Sequence, residues 1–230
     1  KPFELNIKDI GGLVAPFLII VWDWDGTLMD STPTIVRCIQ SACRDLSLPV
    51  PDDSMASFVI GLGIQESLRK ACPTVSVDDH YKLIDRFRFH YLSKDHELSL
   101  FEGAKDLLHQ LKDRGHLLAV ATGKSRKGLD RSLGFHQLEK MFADSRTPDE
   151  SRSKPHPAML LELSESLMVP MDKVLMIGDT THDLGMANAA GADAVGVTYG
   201  AHPEHVLKTE NPLACVKNVQ ELSEWLASNA

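Results

Sequence analysis

Residues 17–32, FLIIVWDWDGTLMDST, constrain the fold of this chain more than any other stretch. Phe17 to Trp22 is an unbroken apolar run, mostly branched or aromatic, and it stops at two aspartates one residue apart, Asp23 and Asp25. Such a run reads as a strand of a parallel sheet covered on both faces. Ligands of these sheets sit beyond the carboxyl ends of the strands. Two carboxylates at that point repel each other unless a cation lies between them or they share a proton. Gly26 then lets the backbone turn sharply or approach a ligand closely, and Thr27 follows it. The competing reading is a strand that ends in a polar turn, since Asp-Gly is a common turn dipeptide.

The rest of the chain decides between these readings. Its 230 residues can hold one core of ordinary size with a smaller inserted domain. A hydrophobic content of 43% fits a folded protein rather than a disordered one. A formal charge of -8 argues against general nucleic-acid binding, so an anionic substrate would need local lysines. Cys38, Cys43, Cys72 and Cys215 form neither a CxxC pair nor a zinc spacing, and free thiols in a reducing cytoplasm are the plain expectation. The apolar run Leu13 to Trp22 contains Pro16 and is too short to span a bilayer. No basic stretch or small-residue cleavage site accompanies it, so neither a membrane span nor a secretory leader is expected. Residues 1–16 read as a tail or short lead-in.

After the opening strand, Asp30, Ser31 or Thr32 can cap a helix whose first turn holds Pro33. Ile35, Val36, Ile39, Ala42, Cys43 and Leu46 then recur at helical spacing. Residues 52–97 carry further helical pattern, including Ile64 to Ala71 and Val77 to Leu92, and no obvious strand. Strand-helix alternation resumes with a helix over Ala104 to Arg114 and a strand over His116 to Ala121, halted at Thr122-Gly123-Lys124-Ser125. Glu139 to Ala143 is a candidate third strand. Pro155 or Pro157 starts a helix running to about Met168. Lys173 to Ile177 is a strand halted at Gly178-Asp179, Thr181 to Ala190 a helix, and Ala194 to Val197 a strand. Ala214 to Val216 and Asn218 to Leu226 close the chain as strand and helix. This alternation predicts a doubly wound, mainly parallel α/β (Rossmann-like) sheet over 17–31 and 98–230, with 32–97 inserted as an all-α cap. Three strands end in polar residues at one edge, at Asp23/Asp25, Thr122 and Asp179.

Taken bare, that edge offers two adjacent aspartates, a hydroxyl, a lysine at 154 and two more carboxylates, Asp179 and Asp183. The last two are four residues apart and share a face if a helix begins near Asp179. Several hard oxygens around one point suit Mg2+, which keeps waters and pairs with substrate phosphate. Lys154 and Thr122 can offset phosphate charge. One carboxylate can attack phosphorus while a second moves protons.

Four segments in order carry a resemblance: Asp23-Trp24-Asp25-Gly26-Thr27, Thr122 in AVATGKS, Lys154 in SKPHP, and Gly178-Asp179-Thr180-Thr181-His182-Asp183. The chain resembles the haloacid dehalogenase superfamily, in its phosphatase branch with a helical cap, and most of all the phosphoglycolate phosphatases. The resemblance implies that Asp23 attacks phosphorus and that Asp25 protonates the leaving oxygen, then activates water. It places Asp23, Gly26, Thr27, Thr122, Gly123 and Lys154 around the phosphate. Asp23, Asp25 (through its backbone carbonyl), Asp179 and Asp183 fall around Mg2+, with Asp183 either assisting at the metal or orienting Lys154. Trp22 and Trp24 depart from the family's usual aliphatic or phenylalanine neighbours without touching the reacting groups. Asp25 points to phosphomonoester hydrolysis, because the dehalogenases and phosphonate-cleaving relatives do without it. A phosphosugar mutase on the same core and a non-catalytic binding module are the alternatives.

The expected partner is a small phosphorylated metabolite, not nucleic acid or membrane, handled by a cytoplasmic monomer or weak homodimer. Cap residues around Gly61 to Gln65 are expected to select it. His156 and His182 read as surface or packing histidines, and Lys124 equally as substrate contact or solvated charge. Arg69, Lys70, Arg86 and Arg88 read mostly as solvated charges, and Phe87, Phe89 and Tyr91 as cap core.

Overall fold

A computed structural model describes residues 15–230; most of the expected N-terminal tail lies outside them. Six strands form one parallel sheet: β1 (Ile19–Trp22), β2 (Leu117–Ala121), β3 (Asp144–Arg146), β4 (Val174–Gly178), β5 (Asp193–Val197) and β6 (Ala214–Val216). Their order is β3-β2-β1-β4-β5-β6. The chain builds outward from β1 on one side, then returns to β4 on the other. The order therefore reverses between β1 and β4, and a crevice opens at their carboxyl ends.

Alternation along β1 explains the two-sided burial. Ile20 and Trp22 face one cluster with Leu107, Leu108 and Leu111 of α5 (Ala104–Asp113), Leu129 of α6 (Arg126–Phe135) and Leu222 of α10 (Val219–Asn229). Ile19 and Val21 face the other, with Met159, Leu160 and Leu163 of α7 (Ala158–Ser166), Leu184 and Met186 of α8 (Thr181–Ala190) and Leu207 of α9 (Glu204–Leu207). All four β1 side chains are fully enclosed, each stabilising the fold by roughly 1.5–3 kcal/mol through burial.

Between β1 and β2 the chain forms α1 (Thr32–Asp45), α2 (Asp53–Phe58), α3 (Ile64–Ala71) and α4 (Val77–Leu92). These helices bury a third cluster of their own, including Ile39, Ala42, Val59, Leu68 and Leu83. The outgoing and returning segments are joined: Asp30 N donates to Ser99 O and Phe101 N donates to Leu28 O, each at 2.9 Å. Within the helical block Cys43 Sγ and Cys72 Sγ lie 3.3 Å apart as free thiols.

Two expectations move and one condition is decided. The opening strand begins at Ile19 rather than Phe17. The third strand is Asp144–Arg146, not Glu139 to Ala143, because this edge position is only half-buried and tolerates a polar Asp-Ser-Arg segment. Helix α8 spans Thr181–Ala190 as expected, so Asp179 lies outside it and the condition for a shared face with Asp183 is not met. Thr180 caps it, accepting from Asp183 N while the Asp183 carboxylate accepts from Thr180 N. The two aspartates thus meet through a capping box, not a shared helix face. Among the described residues no helix is long and apolar enough to cross a membrane.

Candidate active site

The loop after β1 turns back on itself at once. Thr27, Leu28 and Met29 all donate backbone N–H to Trp24 O, and Gly26 takes φ 86°, which a side chain resists. A Cβ at Gly26 would also overlap the Asp179 carboxylate, as would one at Gly200. Two glycines therefore let the backbone close on Asp179 from both sides. Asp23 N donates to Ile177 O at 3.0 Å, which binds the end of β1 to the end of β4.

Asp23, Asp179, Asp183 and Lys154 are all buried. Lys154 Nζ donates to Asp23 Oδ1 at 2.7 Å and to Asp183 Oδ1 at 2.6 Å. Asp183 Oδ2 accepts from Thr180 N and Oγ1, so both its oxygens are engaged. Asp179 Oδ1 accepts from Thr27 Oγ1 at 3.0 Å, and Asp179 Oδ2 accepts from Ala201 N at 2.8 Å. Asp23 Oδ2 is buried without any partner.

Three carboxylates around one lysine leave an excess of buried negative charge. Burial, followed by the charge of Asp183, raises Asp23 well above the usual carboxylate range despite Lys154. The same two causes push Asp179 up to about 6, against the donors that favour its charged form. Burial works against the charge on Lys154, but Asp183 and Asp23 outweigh it and hold the lysine firmly protonated. Asp23, Asp179 and Asp183 each present an oxygen within 4.8 Å of the others. An orphaned Asp23 oxygen within such an oxygen-only cluster fits a hard divalent cation.

Asp25 stands apart from that cluster. Its Oδ1 accepts from Ser31 Oγ at 2.9 Å, and Lys124 Nζ lies 3.4 Å from its Oδ2. Lys124 is not a solvated charge: its side chain is 9% exposed, and Nζ also reaches Tyr91 Oη at 2.5 Å. Asp25 and Tyr91 hold Lys124 protonated against its burial, while burial and the Asp25 charge push the Tyr91 phenol up to about 12. Thr122, buried at the end of β2, accepts from Lys124 N at 3.0 Å. A Cβ on Gly123 would overlap the Gly61 carbonyl and lie 2.5 Å from Leu62 O, so this glycine lets the β2 loop meet the helical block backbone to backbone.

The structure brings Asp23, Thr27, Lys154, Asp179 and Asp183 into direct contact. Asp23, Asp25, Thr122 and Gly123 share the wall of one cavity of about 520 Å³. Gly26 lines no part of that cavity and acts through its closeness to Asp179. The aromatic expectation divides: Phe87 and Tyr91 stack at 5.8 Å and line the cavity, whereas Phe89 is exposed. Arg88 also lines the cavity, whereas Arg86 pairs with Asp45. His182 packs: its Nε2 and that of His202 both reach Phe58 O, at 2.7 and 2.9 Å. His156 accepts from Ala158 N at 3.1 Å. Ser31, Tyr91, Thr180 and His202 were not among the expected site residues. Tyr91 had a sequence signal as part of the aromatic cluster on α4, Thr180 lay within the fourth motif and Ser31 was a helix-cap candidate; His202 had none.

The chain is similar to known proteins in sequence and in fold. The haloacid dehalogenase-like hydrolase family matches residues 20–197. The "Probable phosphatase IndB" of Dickeya dadantii is 33% identical over 212 residues, 89% of this chain and 91% of that protein. A phosphoglycolate phosphatase of Aliivibrio fischeri is 31% identical, over 84% of this chain and 89% of its own. The crystal structure of a "predicted phosphatase" from Clostridium acetobutylicum superposes with a TM-score of 0.81 at 26% identity, covering 93% of this chain and 100% of that one. The chain belongs to the haloacid dehalogenase-like hydrolase family, as an enzyme of its phosphatase branch.

Proposed function

We propose that the chain hydrolyses phosphomonoesters of small metabolites through a phosphoryl group carried on Asp23. The observation that carries this reading is the Asp23 carboxylate itself: Oδ1 is held by Lys154, Oδ2 is buried and unpartnered, and the residue lines the cavity. A carboxylate fixed by one oxygen presents the other as a nucleophile. In the first step Asp23 Oδ2 bonds to phosphorus, the ester P–O bond breaks, and Asp25 gives a proton to the departing oxygen. Lys154 and the Thr122 hydroxyl meet the phosphoryl oxygens as charge builds on them. In the second step Asp25 takes a proton from water, the water oxygen bonds to phosphorus, and the bond to Asp23 breaks to release phosphate. Ser31, by donating to Asp25 Oδ1, fixes the carboxylate that serves both steps.

Asp23, Asp179 and the backbone carbonyl of Asp25 would hold Mg2+. Asp183, with both oxygens engaged, orients Lys154 in this reading. When bound, the ion neutralises charge on the phosphoryl oxygens and on the carboxylates facing it. This all-oxygen set suits Mg2+, which would keep waters and pair with the substrate phosphate, better than Ca2+, which prefers more ligands. Residues 32–97 act as a cap over the cavity, and closure excludes bulk water.

The relatives' names put phosphoglycolate first among substrates to try. The test is a phosphate-release screen over phosphorylated metabolites with Mg2+, repeated in excess chelator. The proposal requires phosphate release that chelation abolishes and Ca2+ restores incompletely; full activity in chelator overturns the metal assignment. Conversion of β-glucose 1-phosphate to glucose 6-phosphate faster than phosphate release would establish a mutase instead.

A further inference from the structure

The cavity that begins at Asp23 and Asp25 runs into the helical block, and its chemistry there changes. Ile35 and Ile39 of α1, Val59, Ile64 at the start of α3, and Phe87 and Leu92 of α4 form its walls. The polar groups among them are committed. Ser67 Oγ donates toward Val59 O and Leu62 O, at 2.9 and 3.2 Å. Lys124, whose side chain is the largely buried cation of the wall, is held between Tyr91 and Asp25. The remaining lining cations, Arg88, Lys127 and Arg131, are exposed to solvent.

A phosphoglycolate molecule bound through Asp23 would point a carboxylate at this apolar wall, and an ionised group buried without a partner is strongly disfavoured. Its two carbons would also leave most of about 520 Å³ unfilled, a volume within the range of roughly 300–1,000 Å³ that encloses much larger ligands. Solvent-exposed cations suit attraction of an anionic ester from solution rather than a second acidic group held in a buried pocket.

We infer that the phosphomonoester taken by this site carries an apolar, ring-sized alcohol portion enclosed by Ile35, Ile39, Ile64 and Phe87. The inference rests on the phosphatase reading above and deepens it. Benzyl phosphate, ethyl phosphate and phosphoglycolate test it, because the benzyl and ethyl esters have leaving groups of similar basicity. With Mg2+ present, kcat/KM for benzyl phosphate should exceed that for ethyl phosphate by about 40-fold, the preference expected from enclosing roughly 90 Å² of ring at about 25 cal/mol per Å². It should also exceed that for phosphoglycolate. Ile64→Trp, which fills the cavity from the α3 side, should bring the benzyl-to-ethyl ratio below about 5 (most of the ring's burial at ~25 cal/mol per Å² is then lost), with an unchanged circular dichroism spectrum and a cooperative thermal melt reporting that the variant folds. Benzyl phosphate no better than ethyl phosphate, or poorer than phosphoglycolate, overturns the inference and leaves the phosphatase reading standing. No phosphate release from any of the three or from 4-nitrophenyl phosphate overturns both.

Discussion

Asp179→Asn should stabilise the metal-free protein while disabling it. Asp179 is fully buried, and burial together with the charge of Asp183 raises its carboxyl to about 6, roughly two units above the ~3.9 of an unfolded chain. A carboxyl raised on folding holds its proton more tightly in the native state. Its ionisation therefore weakens the fold progressively as pH rises from about 4 to about 6, and the full cost remains above that. At about 1.36 kcal/mol per unit, the cost at pH 7.5 is about 3 kcal/mol. The amide escapes it but offers one acceptor where the carboxylate offers two, to Thr27 Oγ1 and Ala201 N. Losing one of those hydrogen bonds costs about 1 kcal/mol. The net gain is about 2 kcal/mol at pH 7.5, a rise in Tm of roughly 4–8 °C for a domain of this size. At pH 5 part of the carboxyl is already protonated, so the gain falls below about 1 kcal/mol. Thermal melts of both proteins in chelator at the two pH values read the effect directly. Saturating Mg2+ should then raise the wild-type Tm and leave the variant's unmoved. A variant that melts below wild type at pH 7.5 in chelator, or a gain that grows toward pH 5, would refute the argument.

Lys154→Met leaves Asp23 and Asp183 buried without their shared cation; urea unfolding at pH 7.5 should show a loss of about 3–5 kcal/mol, and activity should fall at least ~10²-fold. Gly123→Ala sets a methyl against the Gly61 and Leu62 carbonyls. The helical block must shift away, so kcat/KM should drop by about 10²-fold with little change in Tm, because a displacement of about 1 Å is enough to misplace reacting groups.

The candidate site at the sheet edge was legible because its parts are local. Asp23 and Asp179 each follow an apolar strand directly, and parallel strands deliver their carboxyl ends to one side whatever their order. The alternation of strands and helices gave the doubly wound class for the same reason. The edge strand Asp144–Arg146 was not legible, since half-buried polar residues leave no apolar signature; Met141 and Ala143, just before it, drew the expectation upstream. The cross-chain contacts lay further out of reach. Tyr91 meets Lys124 only after the helical block folds over the sheet, and its neighbours Phe87 and Phe89 disguise it as packing. Nothing near His202 in sequence announces that it shares Phe58 O with His182, because that meeting spans 144 residues. Asp183 was visible as a carboxylate, but its place beside Lys154 depends on a capping box that begins at Thr180, the residue after Asp179.

The division of labour between Asp23 and Asp25 is the centre of the account, and covalent trapping tests it most directly. Asp25→Ala retains the nucleophile but lacks the base for water, and a nitrophenolate leaves without needing a proton. Given 4-nitrophenyl phosphate and Mg2+, the variant should release about one nitrophenolate per enzyme in a burst and then turn over slowly. Peptide mass spectrometry of the quenched protein should find the phosphoryl group on Asp23, and Asp23→Asn should show neither burst nor label. A phosphoryl group on any other residue, or steady turnover by Asp23→Asn, would contradict the account.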